Sequence, residues 1–225
     1  MTDPRSPRLR PANSILVTRV RPPAEIRTAD VTVLFADLRG YTGMVESLPA
    51  ARVVPLLEEF FRVLGTAANE FGGEVYHMAG DGIMAGFGMN AKSGGGAADA
   101  LAACHAMLEG FAPVAQRWRK ELSLDAGIGI GLHLGEVAFC VLGSAKHKTT
   151  TLVGDTVNVA ARLCSRARAG EVLFSCTVAA ALSISPAANG HVRSTSFLQL
   201  PQFELRGRRG PIDIWCLPAP ERIAL

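Results

Sequence analysis

The stretch EVYHMAGDGIMAGFG (74–88) decides the fold. EVYHM (74–78) alternates like a short strand, AGDG (79–82) has the composition of a tight turn, and IMAGFG (83–88) reads as the return strand. Just upstream, Gly72-Gly73 ends a helical stretch over about 44–71. Its apolar residues Val53, Leu56, Leu57, Phe60, Phe61 and Leu64 recur at spacings of three and four, and Pro55 falls near its start or kinks it. Before the helix, VTVLFADL (31–38) is a nearly continuous apolar run closed by an acid, the pattern of a buried strand. The chain therefore runs strand, helix, hairpin.

Downstream the same alternation continues. Ser93 to Gly96 reads as a flexible loop, and an alanine-rich helix follows over about 97–120. LDAGIGIGLHLGEVAFCVLG (124–143) reads as two strands around His133-Leu134-Gly135-Glu136, and SAKHKTT (144–150) as a basic hairpin tip. TLVGDTVNVAARLCSRA (151–167) begins as a strand, turns at Gly154-Asp155 and continues as a helix carrying Asn158 and Arg162. EVLFS (171–175), FELRG (203–207) and IDIWCL (212–217) are further strand candidates. The order β-α-β-β-α-β-β-α-β with added strands predicts an α+β fold, a ferredoxin-like split βαβ core extended at its C-terminal end.

The chain has 225 residues, of which 48% are hydrophobic, enough for one large domain with a real core. The expected organisation is a Pro- and Arg-rich leader (1–29), one large domain (30–218) and a tail (219–225). A net charge of +3 is too weak to argue for a nucleic-acid partner. No run approaches the roughly 20 apolar residues of a spanning helix, and the start lacks the apolar core of a signal peptide. Cys104, Cys140, Cys164, Cys176 and Cys216 are scattered with no CxxC pair, which reads as reduced thiols and a cytoplasmic setting. His133 sits in a strand pattern far from a second ligand and reads as structural.

Asp37 ends a buried strand and Asp81 lies in the hairpin turn. In the split topology the first strand pairs with that hairpin, so the two carboxylates share one sheet edge. Hard cations such as Mg²⁺ or Mn²⁺ take oxygen ligands and phosphate oxygens together, and two such ions can hold an attacking oxygen and leaving phosphates in line.

The flanks carry a family resemblance. FADLRGYT (35–42) and MAGDGIMAGFG (78–88) resemble the two metal-binding segments of class III nucleotidyl cyclases, and VGDTVNVAARL (153–163) resembles that family's third hallmark. GIGIGLHLGEV (127–137) and LRGRRGPIDIW (205–215) are similar to its intervening and closing strands. The resemblance implies that Asp37 and Asp81 bind two divalent metal ions, with the backbone carbonyl of Leu38 as an added ligand. It implies that the backbone of Leu38, Arg39, Gly40, Tyr41 and Thr42 cradles the triphosphate, that Asn158 orients the ribose and that Arg162 stabilises charge on the α-phosphate. Arg206 or Arg208 would hold the terminal phosphates. The family's site forms between two head-to-tail chains, which implies a homodimer with two composite sites.

The resemblance also implies that His77 and Thr151 read the base. Thr151 fits the bacterial adenylyl type. His77 fits neither the usual Lys of adenylyl nor the usual Glu of guanylyl cyclases. An imidazole and a hydroxyl each donate or accept, so ATP is the favoured substrate while GTP or a pyrimidine triphosphate stays open. A histidine at this position also predicts activity that responds to pH near its titration range. Two other readings are a nucleotide-binding homologue with weak catalysis and a polymerase-palm relative. The retained Asp37, Asp81, Asn158 and Arg162 count against the first, and the third hallmark motif counts against the second.

Overall fold

The computed structural model describes residues 26–89, 94–144, 147–184, 197–203 and 210–219. Strand β1 (Arg27–Arg39) is followed by α1 (Tyr41–Ser47), α2 (Ala50–Glu70), β2 (Glu74–Ala79) and β3 (Gly82–Phe87). Then come α3 (Ala97–Leu122), β4 (Gly127–Gly143), β5 (Lys148–Val153), α4 (Asp155–Arg166), β6 (Val172–Ser175), α5 (Cys176–Ala181), β7 (Leu198–Phe203) and β8 (Ile212–Leu217). The eight strands form one sheet of order β2-β3-β1-β4-β6-β8-β7, with β5 paired to β4 off that path. β4 and β6 run parallel, and the other pairings are antiparallel. The α+β split βαβ architecture is as the sequence predicts, with β1 between the hairpin and β4.

Several boundaries differ from expectation, each for a physical reason. The first helical stretch is two helices. Leu48 is extended, because a residue before proline is pushed out of the helical region, and Pro49, with ψ 143°, caps the start of α2. β1 begins at Arg27, inside the stretch read as leader, and Arg27 pairs with Phe139. Gly94–Gly96 forms a tight turn with left-handed backbone at Gly95 and Gly96, packed against Phe87 and Gly88 rather than a loose loop. The expected strand pair over 124–143 is a single strand of 17 residues, paired with β1 from Gly127 to Phe139, so His133 to Glu136 is no turn. β7 ends at Phe203, where the sequence predicts a strand to begin, and residues 204–209 lie outside the described residues.

Alternation along β1 sorts the two faces. Leu34, Ala36 and Leu38 enter the main core under α2 and α3. There Phe60 and Phe111 meet edge-on at 5.6 Å and Phe111 meets Trp118 at 5.3 Å. Val31, Val33 and Phe35 face the other way, into a smaller cluster with Tyr76, Met84, Val137, Phe139, Leu152 and Ala160. The outer part of β4 and β5 arches over this second face. Tyr76 and Phe139 stack edge-on at 5.8 Å, and a Cβ on Gly86 would lie 2.8 Å from Leu152. Helix α4 covers the rest, seated on the odd-numbered glycines of β4. A Cβ on Gly131 would lie 2.1 Å from the Cys164 nitrogen, so only glycine lets the helix lie this close. His133 is buried, with Nδ1 2.7 Å from Ser175 Oγ, in keeping with its structural reading.

Candidate active site

The second face, between the α4 seat and the β2–β3 turn, gathers the candidate site residues. Asp37 lies opposite Gly82 of β3 and Gly129 of β4. The N–H of Leu38 donates to the Asp81 carbonyl at 2.8 Å, which fixes the turn against the end of β1. N–H and C=O of one residue in a strand point to the same edge, so the Leu38 carbonyl is directed at this turn as well. Asp37 is half-buried, and its carboxyl is raised above the ordinary carboxylate value. Burial is the main cause, the charge of Asp81 adds to it, and Arg39 opposes both. Among the described residues no three of His, Cys, Asp and Glu gather as a metal cluster. Two neighbouring carboxylates with oxygen-only donors suit a hard divalent cation, which would relieve their repulsion and draw its other ligands from phosphate.

Gly40 follows at φ 91°, a left-handed backbone that suits glycine, and a Cβ there would meet the Asp125 carbonyl at 2.3 Å. This turn starts α1, whose first backbone N–H groups, from Tyr41 to Gly43, precede the first helical bond, Met44 N–H to the Gly40 carbonyl at 3.0 Å. Of the segment 38–42, Leu38 has its N–H already donated to Asp81. Tyr41 is half-buried and Thr42 is exposed.

The Arg39 side chain turns away from the helix start. Nη1 pairs with Asp37 Oδ2, Nε donates to the Ala167 carbonyl at 2.9 Å, and Nη2 donates to the Cys164 carbonyl. Sequence reasoning gave Arg39 only a backbone part. The signal for its side chain lay in Gly127, Gly129 and Gly131, an alternation that empties one face of a strand.

His77 is exposed on β2 opposite Met84, which in turn lies opposite Phe35. Opposed residues share a face, so His77 stands on the same face as Asp37. An irregular register at Tyr76 turns both Tyr76 and the following residues. Thr151 lies opposite Cys140, on the reverse side of the hairpin from Leu152, and is half-buried. Asn158 is exposed and Arg162 half-buried, one turn apart on α4, away from its buried residues Thr156, Val159, Ala160, Leu163 and Cys164. Neither side chain bonds to another described residue. Arg206 and Arg208 lie outside the described residues.

A family profile described as the adenylate and guanylate cyclase catalytic domain matches residues 24–218. An adenylate cyclase of Anabaena cylindrica is 32% identical over 144 residues, covering 60% of this chain and 27% of that protein. The chain thus spans about a quarter of the length of the curated relatives it matches. Among solved structures, the adenylyl cyclase CyaB from P. aeruginosa superposes with a TM-score of 0.78 at 25% identity, covering 88% of this chain and 98% of that one. The guanylyl cyclase Cya2 superposes with a TM-score of 0.72 at 28% identity, covering 88% and 97%. No helix among the described residues is long and apolar enough to cross a membrane.

Proposed function

Since this chain belongs to the adenylate and guanylate cyclase catalytic-domain family, we propose that it converts ATP to 3′,5′-cyclic AMP and pyrophosphate, at two sites shared between two copies of the chain. The observation that carries this reading is the Asp37–Asp81 pair, two carboxylates held together at one sheet edge beside a helix start.

Asp37, Asp81 and the Leu38 carbonyl would hold two divalent cations, Mg²⁺ or Mn²⁺. Bound there, the cations supply charge neutralisation and make the attacking hydroxyl more acidic. The chain's own groups do the rest. The N–H groups at the start of α1, at Tyr41 and Thr42, which have no intrahelical partner, donate to the phosphates. Asn158 orients the ribose, and Arg162 opposes the charge that grows on the α-phosphate. Arg206 or Arg208 holds the terminal phosphates. Among the described residues Asn158 and Arg162 have no side-chain partner, which supports their serving a site completed by a second copy. With positioning and charge neutralisation provided, little further is asked of the protein.

Adenine rests on Thr151, whose hydroxyl can accept from the adenine amino group, and on His77, whose ring N–H can donate to the base. The likenesses to one adenylyl and one guanylyl cyclase are of similar strength and do not choose the base. The test is incubation of the purified chain with Mn²⁺ and, separately, ATP, GTP, CTP and UTP, with products identified by mass spectrometry. Cyclic AMP is expected, and it is lost in Asp81→Ala. A cyclic product from another triphosphate alone would reassign the base. A folded, dimeric chain that cyclises none of the four would make this a nucleotide-binding homologue. His77→Lys and His77→Ala are expected to change both base preference and the pH profile; if neither moves, His77 does not read the base.

A further inference from the structure

We propose that Arg39 is a positioning residue that bolts the Asp37 carboxylate to the C-terminal end of α4, and so ties the metal-binding half of one shared site to the ribose- and phosphate-binding half of the other. The proposal rests on the cyclase reading and its shared sites.

The guanidinium uses each of its nitrogens on a different acceptor. Nη1 goes to Asp37, Nη2 to the Cys164 carbonyl, and Nε to the Ala167 carbonyl at 2.9 Å. The two carbonyls belong to the last turn and cap of α4, the end that carries partial negative charge and favours a cation. The third acceptor is a carboxylate two residues earlier on the same strand face. A planar fork of fixed donors meets three acceptors in different directions; the single ammonium of lysine does not.

The slot for this fork is built into β4. Gly129 lies opposite Asp37, and a Cβ there would stand 2.6 Å from Nη2 and 2.7 Å from both Nε and the Ala167 carbonyl. A methyl group at position 129 therefore displaces the guanidinium. The Cys164 thiol donates to the Gly129 carbonyl at 3.3 Å, closing the slot from the helix side. Strand, glycine and helix end are thus held as one unit, and that helix carries Asn158 and Arg162 on its outer face.

In a shared-site dimer the Asp37 of one chain works with the Asn158 and Arg162 of the other. Arg39 then connects two groups of one chain that serve different sites. A shift of Asp37 in the first site is passed through three hydrogen bonds to the helix that lines the second.

Complementation reads this directly. Asp37→Ala and Asn158→Ala chains, each inactive alone, are combined as a purified heterodimer with one intact site. In that site Asp37 comes from the Asn158→Ala chain, and Asn158 and Arg162 come from the Asp37→Ala chain. Arg39→Lys is then placed in one chain or the other. In the Asp37→Ala chain, Arg39 has no carboxylate to hold and acts on α4 alone.

Both placements are expected to lower kcat by roughly 10- to 100-fold, the scale of a misplacement of about 1 Å, with KM and melting temperature little changed. Gly129→Ala is expected to lower kcat in the same way, but with a lower melting temperature, because its Cβ also meets the Ala167 backbone carbonyl. In the nucleotide- and metal-free Asp37→Ala chain, Arg39→Lys is expected to speed amide exchange in the last turn of α4. A loss only when the substitution is in the chain supplying Asp37, with α4 exchange unchanged, overturns the link and leaves Arg39 a partner of Asp37 alone. No loss in either placement overturns the proposal altogether. A parent heterodimer that stays inactive shows that the shared-site reading has failed before Arg39 is touched, and the proposal falls with it.

Discussion

The two faces of the sheet are built from the same strands, yet they are put to opposite uses. On one face Leu34, Ala36 and Leu38 meet two long helices, and Phe60, Leu64, Phe111 and Trp118 are all but fully buried. On the other, Phe35, Asp37 and Arg39 meet one helix of 12 residues and a bent hairpin, and Asp37 keeps 33% of its side-chain surface exposed. The first face is apolar packing and makes the fold. The second carries charge that packing alone would not select. Asp37 is where this shows, since burial and the charge of Asp81 together outweigh the help of Arg39. A site proposed to receive cations would hold carboxylates close together before the cations arrive, and the large core opposite tolerates that cost.

The largest expected effect breaks function and leaves the fold intact. Asp37→Asn is expected to lower cyclase activity roughly 1000-fold, the upper end of what one lost electrostatic contact costs in such sites. An acid whose folded pKa is raised favours the fold in its protonated form. Its contribution is present at low pH and is lost as pH rises through the raised value. In chelator, the wild-type chain should therefore gain stability as pH falls through that raised value toward the ordinary carboxylate value, and Asp37→Asn should lack that part of the dependence. At neutral pH in chelator the variant should melt no lower than wild type. Mn²⁺ should raise the wild-type melting temperature and do far less for the variant. A clear drop in melting temperature for Asp37→Asn in chelator would mean that the Arg39 pair outweighs the repulsion, and that the second face is optimised for stability after all.

Much of this division was legible in the sequence. The alternation of VTVLFADLR by itself puts Asp37 and Arg39 on the face opposite to Leu34, Ala36 and Leu38, and the AGDG turn puts Asp81 at the end of the neighbouring hairpin. What was not legible depends on distant partners. The glycines and the polar His133 to Glu136 run look like a turn locally, but β1 pairs along β4 through that point and keeps it extended. α5 has only six residues, too few for a helical period to declare itself. The direction of the Arg39 side chain is set by an α-helix end 125 positions later in the chain, and no local pattern states it. The split between α1 and α2, by contrast, was available in Leu48-Pro49.

A middle-sized effect sharpens the contrast in packing. Leu64→Ala in α2 and Leu152→Ala in β5 remove the same atoms from sites that are 0% and 3% exposed. Leu64 lies between long helices that cannot close over a cavity. Leu152 lies on a strand that, among the described residues, pairs only with β4 and can settle onto Gly86. Urea denaturation at one protein concentration is expected to show a loss of about 4 kcal/mol for the first and about 2 kcal/mol for the second. Equal losses would mean that the two clusters are equally rigid.

The smallest effect concerns order of opening. Cys104 sits on α3 inside the main core, Cys164 on α4 against the sheet, and Cys176 is exposed. Burial pushes the Cys164 thiol up to about 12, and burial raises Cys104 as well. Both are therefore protonated at neutral pH and react only when the surrounding structure opens. A short helix near the surface opens at lower free energy than one at the centre of a core, and Cys164 is 4% exposed where Cys104 is 0%. In urea below the unfolding midpoint, brief alkylation followed by peptide mass mapping is expected to label Cys176 at once, Cys164 next and Cys104 last. The interval between Cys164 and Cys104 measures how far the α4 side can loosen while the α2–α3 side holds. Labelling of the two together would show that both faces unfold as a single unit, so that the chemistry is carried on a layer no more mobile than the core beneath it.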